Sequence, residues 1–326
     1  MAEGRSIRDA GFQRQLAEAT ITSFEVLQTV TGEAAVYDRT SSATSGNYYE
    51  VRTRGQYNIA KTTGIVLLKG GKVFWDHSAN TATYKKVNDR DFYLGRAAED
   101  ATSASNIVIV DLNINPPYDL DLLRDPYTTV PVGTQALGGF LPPEQKGGAL
   151  HFLLSATNEA QKVDAISVDG FAASTNAANA IIEFAFRVIS DGAGTVVDVS
   201  MGIANATHAT DADLIAESVF VHLDANNTNI NAESDDGVSA EIAATDTTID
   251  YTEGSTVAER VEVWFDMRDA ADVQVYINGS LVLASTVFDV DAAVGPWRLF
   301  VHVEKTSSTD AYELAVDWFR ARFSEQ

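Results

Sequence analysis

Asp76, His77 and Ser78 stand side by side in LLKGGKVFWDHSAN, residues 67–80. An acid, an imidazole and a hydroxyl are the parts of a hydrolytic relay, in which the imidazole takes the nucleophile's proton and the acid orients the imidazole. The relay requires the three side chains to converge through hydrogen bonds in space. Consecutive residues of an extended chain alternate faces, so Asp76 and His77 point in opposite directions and the relay cannot assemble. Gly70-Gly71, between VLLK and KVFW, reads instead as a tight hairpin turn, with Asp76 at the end of its second strand. The G-x-S-x-G nucleophile elbow is missing here as well.

Other chemistry is equally sparse. The histidines are His77, His151, His208, His222 and His302, and none stands in an H-E-x-x-H or H-x-H zinc pattern. With no cysteine, thiol catalysis, disulfides and cysteine metal sites are excluded. The densest polar run, HLDANNTNINAESDDG at 222–237, offers hard oxygen donors, and Asp224, Asn226 and Asp235 are its calcium candidates. Its order departs from the D-x-[DN]-x-[DN]-G loop, so a turn-rich connection between strands is the competing reading. Glu233 and Asp235 begin the E-x-D-x-x-E pattern of sandwich-fold glucanases, but Val238 stands where the last glutamate belongs. Trp264 and Tyr276 lie on the polar faces of their strands, where they form either a stacking platform for a glycan or the cover of a sheet's back. The expectation is a protein that is not an enzyme, with no catalytic residue and no cofactor.

The elements that would position these residues are strands. In RVEVWFD, Val261, Val263 and Phe265 share one face, and Glu262, Trp264 and Asp266 the other. Asn278-Gly279 in DVQVYINGSLVL is a two-residue turn of type I′, which needs positive φ at both positions. Nine or more such alternating runs after residue 149 predict an antiparallel β-sandwich, a jelly roll. Shorter runs at 49–114 predict a small β-barrel-like domain, and residues 1–48 an extended N-terminal arm. Six of the seven prolines fall in 116–143 with paired glycines, so 115–148 reads as a Pro/Gly-rich connector packed along a domain or a neighbouring subunit. The fold class is all-β.

Net charge is −23, and residues 161–326 carry 8 Lys/Arg against 28 Asp/Glu. An acidic surface of this kind repels phosphate backbones, so no nucleic-acid partner is expected. The first twenty residues mix charges without an apolar stretch, and no run approaches a membrane span, so neither a secretory signal nor a membrane partner is expected.

Residues ~55–113 resemble the capsid cement, or head decoration, proteins of tailed bacteriophages. The carrying positions are a glycine turn leading into an aromatic-Trp-Asp segment, Gly71, Phe74, Trp75 and Asp76, then Asn88 and Gly95 in the following turn and strand. Residues ~150–324 are similar to concanavalin-A-like or laminin-G-like jelly rolls, on VEVWFD, DVQVYINGSLVL and the closing YELAVDWFRARF. The first resemblance implies a homotrimer bound to the major capsid protein on the outer surface of an expanded capsid, made in the host cytoplasm and located on the virion. The second implies a surface glycan as an alternative partner, for an adhesion module displayed on the particle.

Overall fold

The computed structural model describes residues 11–141, 148–173, 179–192, 194, 196–225, 227–239 and 241–323. The chain divides into two compact units, Met1–Pro117 and Tyr118–Gln326. The described residues are built of antiparallel strands with only single turns of helix.

The first unit holds β1 (Phe12–Leu16), β2 (Val26–Gln28), β3 (Ala34–Val36), β4 (Tyr48–Arg52), β5 (Gln56–Ala60), β6 (Lys72–Asp76), β7 (Thr81–Thr83), β8 (Phe92–Ala97) and β9 (Ile107–Leu112). They form two sheets, in the orders β1-β4-β3-β2 and β5-β9-β8-β6-β7. Neither sheet closes on itself, so the barrel-like expectation gives way to open sheets. The described part of the expected N-terminal arm is itself a sheet. FQRQL pairs with YYEVR from Phe12↔Arg52 to Leu16↔Tyr48, and the inward residues of that region bury Ala17, Ala35, Tyr37, Tyr49 and Val51 together. Alternation therefore does there what it does in the rest of the chain.

The second unit contains β10 (Leu120–Asp121), β11 (Tyr127–Val132), β12 (Ala136–Leu141), β13 (Ala149–Leu154), β14 (Glu159–Ser167), β15 (Ile181–Ser190), β16 (Val197–Ala204) and β17 (Ser218–Asp224). It continues with β18 (Asn229–Asp235), β19 (Ile242–Asp250), β20 (Val261–Asp266), β21 (Gln274–Ile277), β22 (Ser280–Leu281), β23 (Arg298–Ser308) and β24 (Tyr312–Arg322). One sheet runs β12-β13-β24-β15-β20-β21-β22, with β10 also on β24, and the other runs β11-β14-β23-β16-β17-β18-β19. Their inner faces share one core that includes Phe152, Phe184, Phe186, Phe265, Trp297 and Phe319. At the type I′ turn, Asn278 and Gly279 take φ of 51° and 78° between the paired Ile277 and Ser280.

The proline-rich stretch contributes strands to this sandwich. β10 pairs with β24, β11 with β14 and β12 with β13, and Leu120 and Leu122 are buried in the core. Pro131 lies on β11, at the edge of its sheet, where its missing N–H costs no ladder bond. The division between units thus falls after Pro117, at the start of the proline cluster, and the expected connector from residue 118 on belongs to the second unit.

Charge follows the same division. Residues 1–117 carry 13 Lys/Arg and 13 Asp/Glu, whereas residues 118–326 carry 10 and 33. The whole excess of 23 negative charges therefore belongs to the second unit.

Candidate functional site

In the first unit, the aromatic-Trp-Asp segment is β6. Trp75 is buried, opposite Ala82 on β7 and Phe92 on β8. Phe74 meets Tyr93 edge to face at 5.6 Å. β6 does not pair with the VLLK segment: Gly71 N–H closes a turn onto Leu68 O, and Leu67 bridges to Ala101. The hairpin lies one turn later, between β6 and β7, with Asp76 paired to Thr81 and residues 77–80 as its connection. Asp76 Oδ1 accepts from Ser78 N at 2.8 Å, Ser78 Oγ at 2.6 Å and Ala79 N at 3.0 Å, and Asn80 takes a φ of 53°. The Ser78 hydroxyl, helped by the Ala79 and Ser78 amides, holds the Asp76 carboxyl below the ordinary range. Asp76 thus shapes a turn; it does not orient a base.

Two residues that the sequence reading passed over organise this unit. Asp91, 2% exposed, accepts from the backbone of His77 at 3.0 Å, Val87 at 3.1 Å and Asn88 at 2.8 Å. The role of Asn88 is thus to donate its N–H to Asp91 and to accept from the Asp91 N–H with its carbonyl. Asn113 stitches the two sheets: its Nδ2 donates to Ala34 O at 2.8 Å and Thr53 O at 2.7 Å, while its Oδ1 accepts from Ala34 N at 3.0 Å. Gly95 is in β8 with φ +152°, and a Cβ there would stand 1.9 Å from Asp111 O. One outward face of β1 and β4 stays exposed, with Phe12 at 39%, Leu16 at 52% and Tyr48 at 65%. Arg14 and Arg52 lie over the Tyr48 and Phe12 rings at 4.6 and 4.7 Å.

In the second unit, the outward face of the seven-stranded sheet carries a lateral row of polar residues. The register runs Asp164↔His302↔Ser200↔His222↔Asn231 across β14, β23, β16, β17 and β18. All five are buried. Asp164 Oδ1 meets His302 Nδ1 at 2.6 Å, Lys162 Nζ lies 2.9 Å from Asp164 Oδ2, and Glu304 Oε2 is 3.4 Å from His302 Nε2. Burial alone would lower the His302 pKa, but the bonds to Asp164 and Glu304 outweigh it and raise it to about 9. Asp–His–Ser is again a relay by residue type, yet the buried Ser200 hydroxyl has no hydrogen-bond partner, so no nucleophile is activated.

His222 lies among four carboxylates. Its Nδ1 faces Asp213 Oδ1 at 3.4 Å and Glu233 Oε1 at 3.7 Å, and its Nε2 faces Asp224 Oδ1 at 3.3 Å and Asp198 Oδ2 at 3.7 Å. Burial opposes the charged imidazole, but Asp213, Glu233 and Asp198 raise its pKa to about 12. Burial raises Asp198 to about 7 against the pull of His222. Asp213 comes from the single turn Ala212–Leu214 in the loop between β16 and β17. That loop also accepts Lys162 Nζ on His208 O. Groups spaced to hold an ion are Asp213–His222–Glu233, Asp198–His222–Asp224 and Asp236–Asp289–Asp291.

The calcium candidates do not meet. Asp224 pairs at one end of β17, opposite Asp198, whereas Asp235 is opposite Ser218 at the other end. Six residues of strand separate the two ends, roughly 20 Å at the usual rise, too far for one ion. Asn226 lies outside the described residues. Trp264 and Tyr276 are neighbours in register on the outer face of the other sheet, as alternation requires. Trp264 is only 5% exposed, opposite Glu183 on β15, and Tyr276 is half-buried. A stacking platform needs an open ring face, which Trp264 lacks. Its surroundings are a layer of ion pairs absent from the sequence reading: Arg187–Asp317 at 2.7 Å, Arg322–Glu183, and Arg260–Glu262 at 3.0 Å with Arg260 over Trp318.

Residues 15–112 match the family described as phage cement protein. No curated protein matches the chain. Among solved structures, the carbohydrate recognition domain of Emp47p is similar at 13% identity, covering 63% of this chain and 93% of that one, with a TM-score of 0.42. A protein of unknown function, SO2946 from Shewanella oneidensis MR-1, is similar at 14% identity, covering 61% and 80%, with a TM-score of 0.41. The endo-β-1,4-glucuronan lyase of the fungus Trichoderma reesei is similar at 10% identity, covering 64% and 91%, with a TM-score of 0.39. Likenesses of this size carry nothing about binding or catalysis. Among the described residues, no helix is long and apolar enough to cross a membrane.

Proposed function

We propose, from the match of residues 15–112 to the phage cement protein family, that this chain is a structural virion protein that decorates the outer surface of an expanded capsid and binds its major capsid protein. That family match is the observation that carries the reading. The first unit, with no net charge, is the part that engages the shell. Its exposed Phe12, Leu16 and Tyr48, interleaved with Arg14 and Arg52, offer apolar area together with cations for an acidic partner surface. The strongly acidic second unit is carried on the solvent side, where repulsion between copies discourages particle aggregation. Self-association as a homotrimer is carried over from the resemblance. No catalytic role is assigned.

The test is cosedimentation of the purified protein with capsids of its own phage, stripped of this protein, in expanded and unexpanded forms. Saturable binding to the expanded form supports the reading, and the bound stoichiometry reports the trimer. Absence of binding to either form removes it, and weight passes to a glycan-binding adhesion module.

A further inference from the structure

One cluster in the second unit is not used by the decoration role and does not depend on it. Asp213 Oδ1, His222 Nδ1 and Glu233 Oε1 are each buried without a hydrogen-bond partner, and they lie within 4.8 Å of one another. His222 and Glu233 are each 4% exposed. Three orphaned polar atoms that converge are costly unless something sits among them. The Nδ1 to oxygen spacings of 3.4 and 3.7 Å are long for hydrogen bonds. They suit the edges of a tetrahedron around an ion with bonds of about 2.0–2.2 Å, whose ligands stand roughly 3.3–3.6 Å apart.

The far side of the ring is prepared in the same sense. Nε2 faces Asp224 Oδ1 at 3.3 Å, so a proton held there leaves the lone pair on Nδ1, toward Asp213 and Glu233. A carboxylate behind a histidine is the arrangement that fixes a metal ligand's tautomer. A nitrogen donor with two carboxylates favours a borderline transition ion over calcium, which takes oxygen throughout. Asp213 and Glu233 also line a narrow cleft with Asp235 and Glu241.

We propose that Asp213, His222 and Glu233 bind a divalent first-row transition ion, best matched by Zn²⁺, which ties the loop between β16 and β17 to strands β17 and β18. The site needs no catalytic function; its effect is to fasten that loop over the polar row.

The experiment uses the full-length protein, freed of metal with a chelator and titrated with Co²⁺, followed by its visible spectrum, and with Zn²⁺ by calorimetry. The expected result is one Co²⁺ per chain, displaced by Zn²⁺ and not by equimolar Ca²⁺, with a higher unfolding temperature in Zn²⁺. Asp224→Asn should weaken uptake by about 10–100-fold, and Asp213→Asn and Glu233→Gln by more, with folding of each variant checked by circular dichroism. The proposal is overturned if folded wild-type protein takes up neither ion stoichiometrically, leaving His222 as an imidazolium held by acids. Uptake undiminished in both folded ligand variants, or Co²⁺ displaced by equimolar Ca²⁺, overturns it equally.

Discussion

Replacing Gly95 with alanine tests the first unit at its tightest point. Gly95 sits in β8, between Val73 on β6 and Leu112 on β9. A methyl carbon there would be 1.9 Å from Asp111 O, 2.9 Å from Asp111 C and 3.0 Å from Asn113 N. Carbon and oxygen normally approach no closer than about 3.3 Å, so β9 must retreat by more than 1 Å. That movement loosens the Asn113 N–H to Leu94 O bond of 2.8 Å and the neighbouring ladder bond, each worth about 1 kcal/mol net. An L-residue at φ +152° adds about 1–3 kcal/mol of backbone strain. The total is about 3–5 kcal/mol, or roughly 15 °C or more in the melting of a unit this size. Gly46 is the control: it has φ +83° but no atom within 4 Å of a Cβ, so Gly46→Ala should cost only about 1–2 kcal/mol. Differential scanning calorimetry of the whole chain, following the transition of the first unit, is the assay. A Gly95→Ala loss no larger than that of Gly46→Ala would refute the steric argument and the β8–β9 register behind it.

Further outcomes follow from the same contacts. Asp91→Ala strands three backbone donors and should destabilise the first unit by about 2–4 kcal/mol in urea unfolding; a change under 1 kcal/mol contradicts that role. Asn113→Ala removes the three bonds between the two sheets and should cost about 2–3 kcal/mol, with faster hydrogen exchange at Ala34 as its signature. In the second unit, the pKa of His302 is raised to about 9, so its protonated form is favoured by folding. That contribution, about 3 kcal/mol, is complete below the unfolded value near 6.5 and is lost as pH rises through 9. Asp198, raised to about 7, acts in the same direction, since folding favours its protonated form and that advantage fades between about pH 4 and 7. In chelator, melting of this unit should therefore fall between pH 6 and 10, and His302→Gln should lessen the decline without abolishing it, because His222, raised to about 12, loses part of its own contribution over the same range; a melting temperature rising over that range would contradict the ion pairing.

Alternation and turn chemistry carried most of the fold into view. The faces of RVEVWFD and the Asn278-Gly279 turn are local properties, and both emerge in place. What stayed hidden depends on partners distant in sequence. Pro131 reads as a strand breaker until β11 is seen to lie at a sheet edge. The Gly70-Gly71 turn resembles a hairpin locally, but β8 supplies a better partner for β6 than the preceding segment does. Trp264 looks exposed by alternation alone, because a period of two cannot distinguish solvent from a layer of arginine–carboxylate pairs. His222, Asp213 and Glu233 come from three separate segments with no fixed spacing, so no short motif marks them. His222-x-Asp224, two residues apart on one strand face, was the one local clue.

The account rests on the first unit meeting a capsid, and the most direct measurement is a cryo-electron microscopy reconstruction of expanded capsids saturated with this protein. The account predicts density for residues 15–112 against the outer shell, with the acidic second unit farther out. A reconstruction with the second unit seated on the shell, or a shell without added density at saturating protein, would contradict it.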